Sequence, residues 1–204
     1  MIPDGVFSTQ EGGRQFSILE DYHITRRVLE ADVDSKRSFI EGGYYQYIDP
    51  QSMFTFLSLN TVSFSHSKRN TVSEGDRQKQ IDWFEQKLEQ ARTMERTVVI
   101  VGHIPAGRVG SHYDWEKDIL DRYLDICTRY SDIIMLQVYG HHSKELIRAF
   151  SPSVSLLVSG GITPVGGRSP GDKDRDSVNP SFRYFKIEEN YEITGSHLSG
   201  LMAA

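Results

Sequence analysis

The clearest pattern along the chain is a helix followed by an apolar strand, and it occurs twice. Over Asp76–Met94, apolar residues recur every three or four positions between charged ones, which predicts an amphipathic helix. The β-branched run Thr97–Val101 comes next and is apolar on both faces, so we expect a central strand covered on both sides. The same order returns as a helix over Trp115–Tyr130 and an apolar run over Ile133–Tyr139. This alternation predicts an α/β layered fold.

Shorter patterns predict the remaining elements. Apolar residues near helical spacing indicate a helix over Ile18–Val33. Polar, Gly-rich or Pro-rich composition predicts loops over Phe64–Ser73 and Gly160–Pro180. Four short apolar or alternating runs predict further strands: Tyr44–Tyr47, Phe54–Leu59, Ser155–Val158 and Arg183–Ile187. No linker-like stretch divides these elements, so one domain is expected.

Composition and charge exclude several classes of protein. The 204 residues suit a single core, and 23 Lys and Arg against 28 Asp and Glu give a net charge of −5. We therefore expect no nucleic-acid partner, since there is no cationic excess to bind phosphates. The single cysteine, Cys127, excludes a disulfide within the chain and a Cys-rich zinc site. No apolar run reaches the roughly 20 residues of a transmembrane helix, and the residues do not identify a compartment.

Both predicted central strands end in the same dipeptide. Thr97–Val101 runs into Gly102-His103, and Ile133–Tyr139 runs into Gly140-His141. Ligands of α/β proteins collect at the carboxyl ends of parallel strands, and imidazole suits zinc, iron and similar ions. A shared metal or phosphate site is therefore one interpretation of this pattern, and unrelated surface histidines are the other.

A longer series of motifs resembles a known family. The series occurs in order over about residues 40–190 and resembles the calcineurin-like metallophosphoesterases, in particular the acid sphingomyelinase-like phosphodiesterases. Its members are Gly42-Gly43-Tyr44-Tyr45, Leu57-Ser58-Leu59-Asn60-Thr61, Asp82-Trp83-Phe84-Glu85-Gln86-Lys87-Leu88, Val101-Gly102-His103-Ile104-Pro105-Ala106-Gly107, Trp115, Arg129-Tyr130-Ser131-Asp132-Ile133-Ile134, Tyr139-Gly140-His141, Ile162-Thr163-Pro164 and Asn179-Pro180-Ser181-Phe182-Arg183.

The resemblance implies a fold, a reaction and a cofactor. The family's fold is a sandwich of two β-sheets flanked by helices, with two divalent metal ions at strand ends, which are zinc, iron or manganese. Its members hydrolyse phosphoric esters, and the resemblance implies that His103 and His141 bind the same ion. The substrates implied are phosphoester small molecules, phospholipid headgroups or polyphosphate. The family's relatives are secreted, lysosomal or vacuolar.

The chain departs from the family in its first half. The family's Asp-x-His, Gly-Asp and Gly-Asn-His motifs, which supply a bridging carboxylate and the acid histidine, would lie before Met1. We therefore expect residues 1–204 to be the carboxyl-terminal portion of a single metallophosphoesterase domain, with an incomplete sandwich. On this expectation no catalytic residue can be assigned, and the chain is not competent alone.

The second departure lies within the remaining motif. Where the family has Gly-His-x-His, this chain has Ser143 in place of the last histidine. His142 is a candidate third metal ligand, although consecutive side chains on extended backbone point in opposite directions. Because related endopolyphosphatases tolerate a different residue at the position of Ser143, polyphosphate cleavage stays open, as does a degenerate, non-catalytic binding module. His112 and Asn60 are candidate substrate contacts.

Overall fold

A six-stranded mixed sheet forms the centre of the structure. The computed structural model describes residues 32–67, 70–109, 112–162, 181–188 and 193–200. In chain order, the strands are β1 (Tyr45–Ile48), β2 (Phe54–Ser58), β3 (Thr97–Val101), β4 (Arg108–Val109), β5 (His112–Tyr113), β6 (Ile134–Tyr139), β7 (Leu146–Ser151), β8 (Val154–Val158), β9 (Ser181–Ile187) and β10 (Ile193–Gly200). The helices are α1 (Val33–Gly42), α2 (Glu74–Thr93) and α3 (Lys117–Arg129).

The sheet has a parallel interior and antiparallel edges. Its strand order is β1-β2-β3-β6-β8-β7. Strands β2, β3, β6 and β8 run parallel, whereas β1 and β7 pair antiparallel at the two edges. Two small sheets, β4 with β5 and β9 with β10, complete the strands that the structure describes. The predicted α/β fold is confirmed.

The two strongest helix predictions are confirmed, with shifted ends. Helix α2 begins earlier than predicted because Ser73 caps it, its Oγ accepting a hydrogen bond from the Asp76 N–H at 3.1 Å. Helix α3 begins two residues after Trp115, which instead forms an isolated β-bridge with Ser65. No helix in the described ranges combines the length and the apolarity needed to cross a membrane.

Some elements carry little periodic signal and were not predicted. Helix α1, edge strand β7 and strand β10 fall into this group, as do the two short strands β4 and β5. Helix α1 is largely polar and buries only Ser35, Ser38 and Phe39, which do not form a helical apolar stripe. The helix predicted over Ile18–Val33, apart from its last two residues, and most of the loop predicted over Gly160–Pro180 lie outside the described residues.

The core lies between one face of the sheet and helices α2 and α3. Val98 and Ile100 of β3 are fully buried on that face, and Val99 on the opposite face is 6% exposed. At the end of the strand, however, Val101 is 36% exposed, so the prediction of cover on both sides fails for this residue. The apolar stripes of the helices complete the cluster: Ile81, Phe84 and Leu88 from α2, and Ile119, Tyr123 and Ile126 from α3.

Candidate metal centre

The two Gly-His dipeptides leave the sheet side by side. Strands β3 and β6 are parallel neighbours, with Val101 paired to Val138, so their carboxyl ends meet at one edge. Beyond this pair, the Gly102 N–H donates to the carbonyl of Val138 at 3.0 Å, and the Gly140 N–H donates to the carbonyl of His103 at 3.0 Å. The backbone therefore continues the pairing into both turns and brings their histidines together.

The imidazoles of His103 and His141 face each other. His141 Nδ1 lies 3.4 Å from His103 Nε2, and the two rings are nearly perpendicular at 84°. Two nitrogens bound to one tetrahedral zinc at about 2.0–2.1 Å lie roughly 3.3–3.4 Å apart. The separation in the structure thus fits two ligands of a single ion, as well as a hydrogen bond between the rings.

The surroundings favour the neutral form of both imidazoles. Partial burial lowers the pKa of His103, and the neighbouring His142 lowers it further. Partial burial also lowers the pKa of His141, followed by the effects of His103 and His142. Because a neutral imidazole keeps a nitrogen lone pair, the site is electrostatically suited to binding a cation near neutral pH.

The first turn is held by the core. Thr61 Oγ1 accepts hydrogen bonds from the N–H groups of His103, at 3.0 Å, and of Ile104, at 2.7 Å. The indole N–H of the fully buried Trp115 donates to the carbonyl of Ile104 at 3.1 Å. Gly102 is needed because a Cβ there would lie 2.7 Å from the ring of Tyr139. These contacts fix the backbone from which the His103 side chain projects.

The second turn is unusual in its backbone. His141 and Ser143 have positive φ values of 73° and 54°, which non-glycine residues seldom adopt. The His142 N–H donates to the carbonyl of Gly140 at 2.9 Å and closes the turn. Alternation of side chains along extended backbone, the premise of our expectation for His142, therefore does not apply here.

The side chain of His142 contacts an ion pair formed by Asp114 and Arg148. Its Nε2 lies 3.2 Å from Asp114 Oδ2 and 3.1 Å from Arg148 Nη2. Partial burial raises the pKa of Asp114, but the hydrogen bonds and charges of His142 and Arg148 outweigh it and hold that pKa below its usual range. In the described part of the chain, no three or more His, Cys, Asp or Glu side chains are arranged to hold one metal ion.

The other candidate residues have different partners. Asn60 directs its amide away to the carbonyl of Gly42, at 2.8 Å, while its own backbone is bound by Gln80. His112 belongs to β5, and its side chain lies outside the described residues. Ser143 packs close to Gly161, where an added Cβ would lie 3.2 Å from the serine Oγ. Their roles stay predictions.

Two residues of the cluster were missed in the sequence. Asp114 precedes Trp115 in a segment with no periodic pattern, and Arg148 lies on an unpredicted edge strand. Neither residue belongs to a motif, so only their spatial convergence on His142 identifies them.

Comparison with known proteins gives a consistent set of relatives. No protein-family model matches the chain. Sphingomyelinase phosphodiesterase C of Dictyostelium discoideum is 33% identical over 144 residues, which make up 64% of this chain and 32% of that protein. Cyclic GMP-AMP phosphodiesterase SMPDL3A of Homo sapiens is 28% identical over 166 residues, 77% of this chain and 36% of that protein. The chain thus spans about a third of the length of these curated relatives.

Among solved structures, a dimetal phosphatase from Danio rerio aligns with a TM-score of 0.48 and 13% sequence identity. The alignment covers 73% of this chain and 59% of that one.

Proposed function

This chain is homologous to the acid sphingomyelinase-like phosphodiesterases, and from that premise we propose that it supplies two histidine ligands of a metal-dependent phosphoester hydrolase. The observation that carries the proposal is the 3.4 Å approach of His141 Nδ1 to His103 Nε2 at the ends of two parallel strands. Zinc, iron or manganese is the ion that we infer for such nitrogen ligands.

The residues of the chain would hold and orient a cation and its substrate. A divalent ion bound here supplies positive charge that stabilises the charge developing on phosphoryl oxygens. His103 and His141 would hold it as neutral imidazoles, while Thr61 and Trp115 fix the turn that carries His103. We propose small phosphodiesters or phospholipid headgroups as substrates.

Two other functions are each favoured by a particular observation. Ser143 stands where the family motif has a further histidine, and the described residues offer no third His, Cys, Asp or Glu arranged to share the ion. Both facts favour a binding module that holds a cation without hydrolysing an ester. An endopolyphosphatase-like hydrolase is the second alternative, since such enzymes tolerate a different residue at the position of Ser143.

The test combines metal binding with hydrolysis. Calorimetric titration of the chain with Zn²⁺ should show binding that His103→Ala and His141→Ala each weaken by more than about tenfold, because each removes one of two ligands. His66→Ala is the matched control, since its imidazole pairs with Glu116 at 3.0 Å instead of with these two rings. Bis(4-nitrophenyl) phosphate and a polyphosphate chain, each with the metal, then serve as substrates.

The outcomes test the shared ion and the substrate separately. Histidine-dependent hydrolysis of the diester supports the proposal. Hydrolysis of polyphosphate but not of the diester supports an endopolyphosphatase-like function. Histidine-dependent Zn²⁺ binding without hydrolysis of either substrate supports the shared ion and excludes a chain that hydrolyses these esters alone, the result expected both of a portion of a hydrolase and of a binding module. Equal Zn²⁺ affinity in wild type, His103→Ala and His141→Ala would refute the shared ion.

A further inference from the structure

Arg148 makes an unusual set of contacts for a residue on an edge strand. Its side chain is only 12% exposed. Nη1 donates to the carbonyl of Ala106 at 2.6 Å, and both Nη1 and Nη2 donate to Asp114 Oδ2 at 3.1 Å. Nη2 also lies 3.1 Å from His142 Nε2. One guanidinium therefore contacts three separate segments of the chain.

Two of these segments carry the two candidate ligands. Ala106 lies three residues after His103, in the loop that continues the first Gly-His turn, and His142 directly follows His141. Asp114 joins Arg148 to His142 and is itself 15% exposed. Because these groups are shielded from solvent, their charge-assisted hydrogen bonds should be stronger than those of a surface ion pair.

The first loop is shaped to let Arg148 approach. Gly107 has a φ of +105°, a conformation that side chains rarely adopt. A Cβ at this position would lie 3.1 Å from the ring of Phe150 and 3.3 Å from Arg148 Nη1. The loop thus passes close to β7 at a residue whose positive φ favours glycine, which is an observation independent of the hydrogen bonds.

We propose that Arg148 is a positioning residue that fixes the two Gly-His turns relative to each other, through Ala106 on one side and the Asp114–His142 pair on the other. The proposal rests on the proposed function, since the turns matter for the pair His103 and His141. Arg148 itself does not contact the ion. Its planar fork reaches three partners at once, a geometry that the single ammonium of lysine cannot reproduce.

Arg148→Met removes these bonds and leaves Asp114 partly buried without its cation. The loop carrying His103 then loses its tie to β7, and the mutual position of His103 and His141 loosens. Changes in groups that orient metal ligands typically weaken metal affinity by 10–100-fold, and we expect a loss in that range for Zn²⁺. Arg148→Lys should fall between wild type and Arg148→Met.

The direct readout is the approach of the two rings, measured without metal. In wild type, ring centroids 5.2 Å apart should give a nuclear Overhauser effect between ring protons of His103 and His141. This signal should be weakened or lost in Arg148→Met. Arg96→Met is the matched control, because Arg96 makes four hydrogen bonds at the opposite end of β3 and its loss affects stability rather than the turns.

Each outcome decides a different point. Loss of the ring contact and of Zn²⁺ affinity in Arg148→Met, with both kept in Arg96→Met, supports the proposal. An unchanged ring contact in folded Arg148→Met overturns it, even if His103→Ala still abolishes Zn²⁺ binding. If His103→Ala leaves Zn²⁺ binding unaltered, the proposed function fails, while the ring contact still tests Arg148. Should Arg148→Met not fold, the ring contact in Arg148→Lys decides in the same way.

Discussion

Replacement of Gly102 by alanine is a sharp test of how tightly the first turn is packed. A Cβ at residue 102 would lie 2.7 Å from Tyr139 Cε1 and 2.8 Å from Thr61 Cγ2, both closer than an ordinary contact. Neither neighbour can yield easily. The ring of Tyr139 is 2% exposed and its hydroxyl lies 2.6 Å from that of Tyr123, while Thr61 binds two N–H groups of the turn.

The expected magnitude follows from two opposing effects. Overfilling a packed core typically costs about 1–3 kcal/mol. Alanine also lowers the conformational entropy of the unfolded chain, which stabilises the folded state by about 0.4–1 kcal/mol where the backbone conformation is compatible. We therefore expect Gly102→Ala to lower the free energy of unfolding by roughly 1–2 kcal/mol. With a urea m-value of about 2 kcal/mol/M, the midpoint should fall by about 0.5–1 M.

The matched control is the same substitution at an open position. Gly75 lies in the first turn of α2, and a Cβ there meets only Ser73 Oγ, at 3.8 Å. Gly75→Ala should leave the urea midpoint unchanged or raise stability by up to about 1 kcal/mol. A midpoint for Gly102→Ala equal to or above that of wild type, with Gly75→Ala behaving as expected, would refute the packing described for this turn.

Two further predictions concern the helices. Ser73→Ala removes the N-cap of α2, because the Ser73 Oγ accepts from the Asp76 N–H and donates to Asp76 Oδ2 at 2.7 Å. The free energy of unfolding, measured by urea denaturation, should fall by about 1 kcal/mol. An unchanged urea midpoint would contradict the cap. Burial raises the pKa of the Cys127 thiol to about 12. Because the thiolate is the reactive form, iodoacetamide at pH 8 should label Cys127 about a thousandfold more slowly than a free cysteine. Labelling of the native protein at the rate of a free thiol would contradict this burial.

The interior of the fold could be predicted because its pattern is strong. Helices α2 and α3 bury one side, and strands β3 and β6 are apolar over several consecutive residues, so period and length agree. Strand β7 could not be predicted in the same way. As an edge strand it leaves Ile147 77% exposed and Phe150 37% exposed, and the alternation of its burial is lost after Ala149.

The candidate site likewise has features that the sequence could predict and features that it could not. That His103 and His141 would meet followed from two strand ends, since adjacent parallel strands release their loops at one edge. The direction of His142 did not follow, because it depends on the positive φ of His141, and no rule for extended backbone applies to such a turn. Asp114 was hidden for another reason, namely that its partners lie 28 and 34 residues away in the chain.

The mutual position of the two turns therefore depends on contacts of different kinds. Backbone pairing of β3 and β6 brings His103 and His141 to one edge, and it survives most changes of side chain. Their finer position depends on Arg148, which antiparallel pairing of β7 with β8 places opposite Leu156. Since its neighbour Ile147 is mostly exposed, β7 should tolerate changes there while depending on Arg148. An edge strand that is largely exposed and carries a weak sequence pattern can thus determine, through one residue, how the two turns of the site are placed.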